Sequence, residues 1–196
     1  MAFTLDGDLP PEVYPLAWLV GTWRGEGTVG YPGIPEAATL QEVSFTAADG
    51  PYLVYRAATW LVEAPGEGEG KVPDGAPTGE AGQLEAGQPG QPGQLWHQES
   101  GFWRVTPGQT QADPPFEIEV FVADPAGVVS VYLGEANGPR IQIGTDAMVR
   151  TASAPRMDAA TRMYGLVEGD LLWAWDLAAF GESLRSYMAS RLHRVS

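Results

Sequence analysis

The sequence predicts an all-β protein, an antiparallel up-and-down β-barrel of about ten strands that follows a short N-terminal helical turn. Apolar and polar residues alternate along most of the 196-residue chain. In segment 115–124, apolar side chains from Phe116 to Val122 occupy alternate positions, and Glu117 and Glu119 lie between them. Such a period of two indicates a strand with one buried and one solvated face. Helix is scarce, and segment 11–20 predicts only one or two turns.

The predicted strands are rich in β-branched and aromatic residues, and clusters of Gly, Pro, Asn and Asp separate them. Clear turn signals are Asp49-Gly50, Asn137-Gly138 and Gly169-Asp170. In chain order, the predicted strands are 22–29, 39–46, 52–62, 95–106, 115–124, 127–135, 140–145, 147–152, 159–167, 170–178 and 184–194.

Closure of these strands into a barrel is favoured over an open sandwich. A meander of about ten strands leaves two edges with unpaired backbone groups, and only closure removes both edges. A barrel of this size has an interior that its own side chains need not fill. The sequence therefore predicts a cavity for a small apolar molecule.

Segment 65–94 interrupts this pattern with 9 Gly and 5 Pro in 30 residues. It has no aromatic residue, and Val72 and Leu84 are its sizeable apolar side chains. Such a segment buries too little apolar surface to offset the entropy of ordering it. We therefore expect a single domain over 1–196 with a mobile surface insertion at 65–94.

Composition excludes several classes of function. The formal net charge of −14 opposes nucleic-acid binding, which depends on clustered Lys and Arg. The absence of cysteine excludes disulfides, thiolate metal sites and cysteine nucleophiles. No apolar run approaches the roughly 20 residues of a membrane span, and the first 20 residues do not resemble a signal peptide. We expect a cytoplasmic protein with no nucleic-acid or membrane partner, and its oligomeric state stays open.

A glycine-rich motif lies at the start of the first predicted strand. Gly21, Trp23, Gly25 and Gly27 share one face of that strand. Glycines there permit close approach of a neighbouring backbone, and the indole of Trp23 can plug one end of a barrel. A phosphate-binding loop is excluded because no Lys-Ser or Lys-Thr follows the glycines. The motif therefore favours a structural role over direct contact with a ligand.

This motif, with three further stretches, resembles the nitrobindin family. The further stretches are 15–23, which looks like the opening of the family's fold, 97–104, a middle-strand motif, and 184–194, its last strand. The resemblance covers nearly the whole chain apart from the insertion. It implies a ten-stranded barrel related in shape to fatty-acid-binding proteins and lipocalins.

The resemblance also implies a cofactor and a reaction. Nitrobindins hold a ferric b-type haem at the mouth of the barrel, bind nitric oxide and isomerise peroxynitrite to nitrate. Their iron ligand is a histidine on the last strand, in a context like Leu-x-x-His-Leu, and this chain has Tyr187 at that place. Haem binding is then weak or lost, another apolar ligand is possible, and a histidine restored at position 187 would raise haem affinity.

The alternative is an active haem enzyme, a peroxynitrite isomerase in which Tyr187 itself binds ferric iron. A phenol binds iron as phenolate, so a nearby cation must lower its pKa. Arg185, two residues away on the same predicted face, and Arg191 are the candidates in sequence.

The chain has only two histidines, and neither substitutes for the missing ligand. We interpret His97 as a hydrogen-bonded structural residue. His193 lies about 20 Å from Tyr187 along the strand, at roughly 3.3 Å per residue, and we interpret it as a surface residue.

Overall fold

Ten antiparallel strands close into a barrel in the computed structural model, which describes residues 9–62, 92–109 and 113–195. Each strand pairs with its neighbours in sequence, and the last strand pairs with the first. The prediction of an up-and-down barrel is confirmed. The strands are β1 (Gly21–Tyr31), β2 (Ile34–Ala47), β3 (Leu53–Val62), β4 (Pro92–Val105), β5 (Phe116–Ala123), β6 (Val128–Asn137), β7 (Arg140–Arg150), β8 (Met157–Val167), β9 (Asp170–Ala179) and β10 (Arg185–Arg194).

A bulge corrects one of the predicted boundaries. The runs 140–145 and 147–152 were expected as two strands, but they form the single strand β7. Tyr132 pairs with Thr145 and Val131 pairs with Ala147, so Asp146 is an extra residue without a partner. A bulge of this kind shifts the inward face by one residue. The break in alternation at Asp146 is therefore a bulge and not a turn.

The predicted insertion lies almost wholly outside the described residues. Its last three positions, 92–94, belong to the start of β4. The mobility expected for the remaining part, 65–91, stays a prediction.

The N-terminal helix closes one end of the barrel. It is a 3₁₀ helix over Pro11–Leu19, at the place where one or two helical turns were expected. Val13, Leu16 and Leu19 are fully buried, and the helix packs against β4 and β6. Within the described ranges, no helix is both long and apolar enough to cross a bilayer.

The glycine motif brings β1 into close contact with β10. A Cβ atom at Gly25 would overlap the carbonyl oxygen of Arg191, and one at Gly27 would overlap Ser190. Trp23 is fully buried, and its indole N–H donates to the Leu19 carbonyl at 2.8 Å. Gly21 begins β1 with a φ of +130°, a conformation that residues with side chains rarely adopt.

We predict that Trp23→Ala lowers the free energy of unfolding by roughly 3–5 kcal/mol, because the truncation leaves a cavity in a packed interior. Tyr14→Ala is the matched control, since the Tyr14 side chain is exposed. Urea denaturation of the three proteins measures both differences. A Trp23→Ala variant that unfolds at the same urea midpoint as the wild type would contradict the structural role assigned to the Trp23 side chain.

Candidate functional site

The mouth of the barrel is the end opposite the 3₁₀ helix, where β1 ends and β4 and β10 begin. Two β-bulges face each other there. On β10, Ser186 pairs with Asp176 and Met188 pairs with Trp175, which leaves Tyr187 as the extra residue. On β4, His97 pairs with Thr59 and Leu95 pairs with Trp60, which leaves Trp96 as the extra residue. Bulges re-aim side chains, and these two bring Trp96 and Tyr187 together.

Tyr187 is hydrogen-bonded to Trp96 across the mouth. The indole Nε1–H of Trp96 donates to the Tyr187 hydroxyl at 2.9 Å. The Tyr187 ring also meets the rings of Tyr31 and Trp175 edge to face, at centroid distances of 5.9 and 5.1 Å. Burial raises the pKa of Tyr187, and the hydrogen bond from Trp96 offsets only part of that rise. The Tyr187 hydroxyl is therefore protonated at neutral pH.

The arginines named as possible activators of Tyr187 bind elsewhere. Arg185 pairs with Glu182 at 3.1 Å, and Arg191 pairs with Asp170 at 2.6 Å. The bulge at Tyr187 also ends the strict alternation from which a shared face was expected: Met188 is buried, whereas Arg185 and Arg191 are exposed. The pKa of Tyr187 is set by burial and Trp96, without help from a cation.

A buried ion pair crosses the lumen below the mouth. Arg162 on β8 donates to both oxygens of Glu99 on β4, at 2.6 and 2.8 Å, and both residues are nearly inaccessible to solvent. Tyr55 on β3 donates a third hydrogen bond to Glu99, at 2.6 Å. Burial alone would raise the pKa of Glu99, but the Arg162 guanidinium and His97 hold it well below its usual range.

Aromatic rings enclose the guanidinium of this pair. Its central carbon lies 4.2 Å from the centre of the Trp175 ring and 5.0 Å from that of Tyr132. A cavity of only about 10 Å³ remains between Glu99, Arg162 and Trp175, enough for one water molecule at most. Side chains therefore fill the lumen at this level, where strand count alone predicted open space.

Both histidines have hydrogen-bonding partners. His97 lies between the ion pair and the mouth, with its Nε2 atom 3.3 Å from Glu99 and its ring 5.2 Å from the Trp175 ring. His193 is exposed on the outer wall at the opposite end of the barrel, with its Nδ1 atom 2.6 Å from Asp170. In the part of the chain that the structure describes, no cluster of His, Asp and Glu is arranged to hold a metal ion.

The sequence did not predict the roles of Trp96 and Arg162. The inward direction of Trp96 depends on a bulge, which spacing along one strand does not indicate. Arg162 carried a usable signal: it lies between Ala160 and Tyr164 on the inward-facing positions of β8. An arginine in that register requires a buried carboxylate on another strand, and Glu99 in the middle-strand motif is that carboxylate.

Comparisons with known proteins agree with this architecture. A family model described as a THAP4-like, heme-binding beta-barrel domain matches residues 12–194. A ferric nitrobindin-like protein of Beutenbergia cavernae is 43% identical over 228 residues, covering 100% of both chains. A peroxynitrite isomerase of Kocuria rhizophila is 35% identical over 208 residues, covering 100% of this chain and 96% of its own. The crystal structure of Rv2717c from M. tuberculosis has a TM-score of 0.70 and 25% identity, and covers 96% of this chain and 100% of its own.

We predict that Glu99→Gln destabilises the protein by about 3–5 kcal/mol, because it leaves the buried Arg162 guanidinium without its counter-charge. Glu119→Gln is the matched control: Glu119 pairs with Arg104 at a partly exposed position, where such a pair contributes about 0–1 kcal/mol. Urea denaturation at neutral pH gives both values. Equal losses in the two variants would contradict the role assigned to the buried pair.

The same carboxylate predicts a pH dependence. The pKa of Glu99 is depressed in the folded protein, so its contribution to stability is present above the unfolded value of about 4.3 and is lost as the pH falls below it. The free energy of unfolding should therefore fall more between pH 6 and pH 3 in the wild type than in Glu99→Gln. Parallel losses over that interval would assign the acid sensitivity to other groups.

Proposed function

The chain belongs to the family of THAP4-like, heme-binding β-barrel domains, and on that premise we propose that it is a nitrobindin-like barrel in which haem binding is weak or lost. Tyr187 occupies the position of the family's iron ligand. Another small apolar molecule is then the ligand of the mouth. The aromatic rings of Tyr31, Trp175 and Tyr187 give the mouth an apolar lining, which supports this class of ligand.

The observation that carries the proposal is the environment of the Tyr187 phenol. Ferric haem binds tyrosine as phenolate, and an unperturbed tyrosine already has a pKa near 10. Burial raises the pKa of Tyr187 further, and its hydrogen-bonding partner, Trp96, is a neutral group. The residues present at this position therefore do not fit a haem iron.

The histidines offer no replacement for the missing ligand. His97 directs its Nε2 atom towards the Glu99 carboxylate, and its ring packs on Trp175. His193 lies on the outer wall beside Asp170. The Nε2 atom of His97 is engaged by Glu99, and His193 lies at the opposite end of the barrel from Tyr187, so neither histidine takes the place of the family's ligand.

The second candidate function is a ferric haem protein that binds nitric oxide and isomerises peroxynitrite, with Tyr187 as the iron ligand. Its support is the similarity to relatives that are themselves named peroxynitrite isomerase, including the Kocuria rhizophila protein. The two functions differ in one measurable property, the dependence of haem affinity on the Tyr187 hydroxyl.

Titration of the purified protein with ferric haem, followed by Soret absorbance, distinguishes them. We predict weak binding or none for the wild type. We also predict that Tyr187→Phe leaves this behaviour unchanged, since the hydroxyl makes no bond to iron. Tyr52→Phe is the matched control, because Tyr52 lies at the opposite end of β3 from the mouth.

Tight haem binding by the wild type, abolished in Tyr187→Phe but retained in Tyr52→Phe, would contradict the proposal and establish tyrosine ligation. Native mass spectrometry of the same preparation tests the other half of the proposal. It should detect a small apolar molecule that co-purifies with the wild type and lacks the mass of haem. Detection of bound haem instead would favour the enzyme.

A further inference from the structure

We propose that Trp96 excludes haem from this barrel, so that the missing iron ligand is not the sole obstacle to haem binding. This inference rests on the proposed function, in which haem binding is weak or lost. It assigns a specificity-determining role to a side chain on β4, the wall opposite the position of the family's ligand. The carrying observation is the hydrogen bond that links Trp96 to Tyr187 across the mouth.

The hydrogen bond between Trp96 and Tyr187 leaves no space for an iron beyond the Tyr187 oxygen. The Trp96 Nε1 atom lies 2.9 Å from the Tyr187 oxygen. Bonds from protein nitrogen or oxygen atoms to a transition metal are about 2.0–2.2 Å long, so an iron bound at this position needs the volume directly beyond the ligand atom. The indole ring already occupies the first layer of atoms there. A macrocycle centred on that iron would therefore overlap Trp96.

The restored ligand would meet the same obstacle. A histidine side chain is shorter than that of tyrosine, so an iron bound to an imidazole nitrogen at position 187 would lie between that nitrogen and Trp96. The indole of Trp96, whose Nε1 atom reaches the Tyr187 oxygen, borders this space on the side into which a macrocycle would extend. The gain in haem affinity that the family resemblance implies should appear only when Trp96 is also shortened.

The position of Trp96 is built into the fold. It is the extra residue of a bulge, held between Leu95, which pairs with Trp60, and His97, which pairs with Thr59. His97 is itself held by Glu99 and by the Trp175 ring. Because both flanking residues are fixed, the indole cannot leave the mouth by a simple shift of register along β4.

Tyr31 and Trp175 pack edge to face against the Tyr187 ring, and the arginines and methionine near position 187 do not block the mouth as Trp96 does. The Arg185 and Arg191 side chains are exposed and form ion pairs with Glu182 and Asp170. Met188 is almost fully buried and contacts Thr59 within the lumen. Trp96 is therefore the side chain that is hydrogen-bonded to the Tyr187 oxygen, on the side that an iron would occupy.

A set of four full-length proteins tests the proposal: the wild type, Trp96→Ala, Tyr187→His and the double variant Trp96→Ala/Tyr187→His. Each is titrated with ferric haem, and the readouts are the dissociation constant and the Soret spectrum of the complex. We expect the double variant to bind at least about tenfold more tightly than either single variant, with a spectrum of histidine ligation. Leu95→Ala/Tyr187→His is the matched control, because Leu95 is the neighbouring residue of β4 and is exposed.

Circular dichroism and thermal melting establish that each variant is folded. If Trp96→Ala prevents folding, Trp96→Leu keeps an apolar side chain in the bulge but removes the donor and much of the ring, and takes its place in both variants. Equal haem affinity in Tyr187→His and the double variant would overturn the role of Trp96, as would absence of binding in a folded double variant. Tight binding by the wild type is a different result, because it overturns the proposed function itself.

Discussion

The buried carboxylate of Glu99 ties three strands of the barrel together across its lumen. It accepts hydrogen bonds from Arg162 on β8 and Tyr55 on β3, and it lies beside His97 on its own strand. A buried guanidinium without a partner would cost several kcal/mol, so the walls that carry these groups must keep their register. The aromatic rings of Trp175 and Tyr132 then pack around the charge and fill the space between the walls.

The same arrangement determines the shape of the mouth. Glu99 holds His97, His97 packs on Trp175, and Trp175 meets Tyr187 edge to face. Trp96 lies next to His97 in the bulge of β4 and completes a ring of contacts around the Tyr187 phenol. The Tyr187 hydroxyl is therefore hydrogen-bonded within the polypeptide, and aromatic side chains pack around its ring.

Much of this fold could be predicted from the sequence because its signals are local. Alternation along segments such as 115–124, and turn residues such as Asn137-Gly138, depend on neighbours in the chain, and they placed most strands within a few residues. The bulges could not be predicted in the same way. An extra residue such as Asp146 or Tyr187 is defined by its lack of a partner on the next strand, which sequence spacing does not specify. The inward direction of Trp96 and the irregular face of β10 depend on such residues, as does the separation of Arg185 from Tyr187.

Hydrogen exchange of the Trp96 indole proton, followed by ¹H–¹⁵N NMR, tests whether Trp96 and Tyr187 are hydrogen-bonded across the mouth. The resonance is assigned by its disappearance in Trp96→Phe. The account predicts an indole proton that exchanges slowly in the wild type and much faster in Tyr187→Phe, because the acceptor of its hydrogen bond has been removed. Rapid exchange in the wild type, at the rate of an exposed indole and unchanged in Tyr187→Phe, would show that Trp96 and Tyr187 do not form this hydrogen bond in solution.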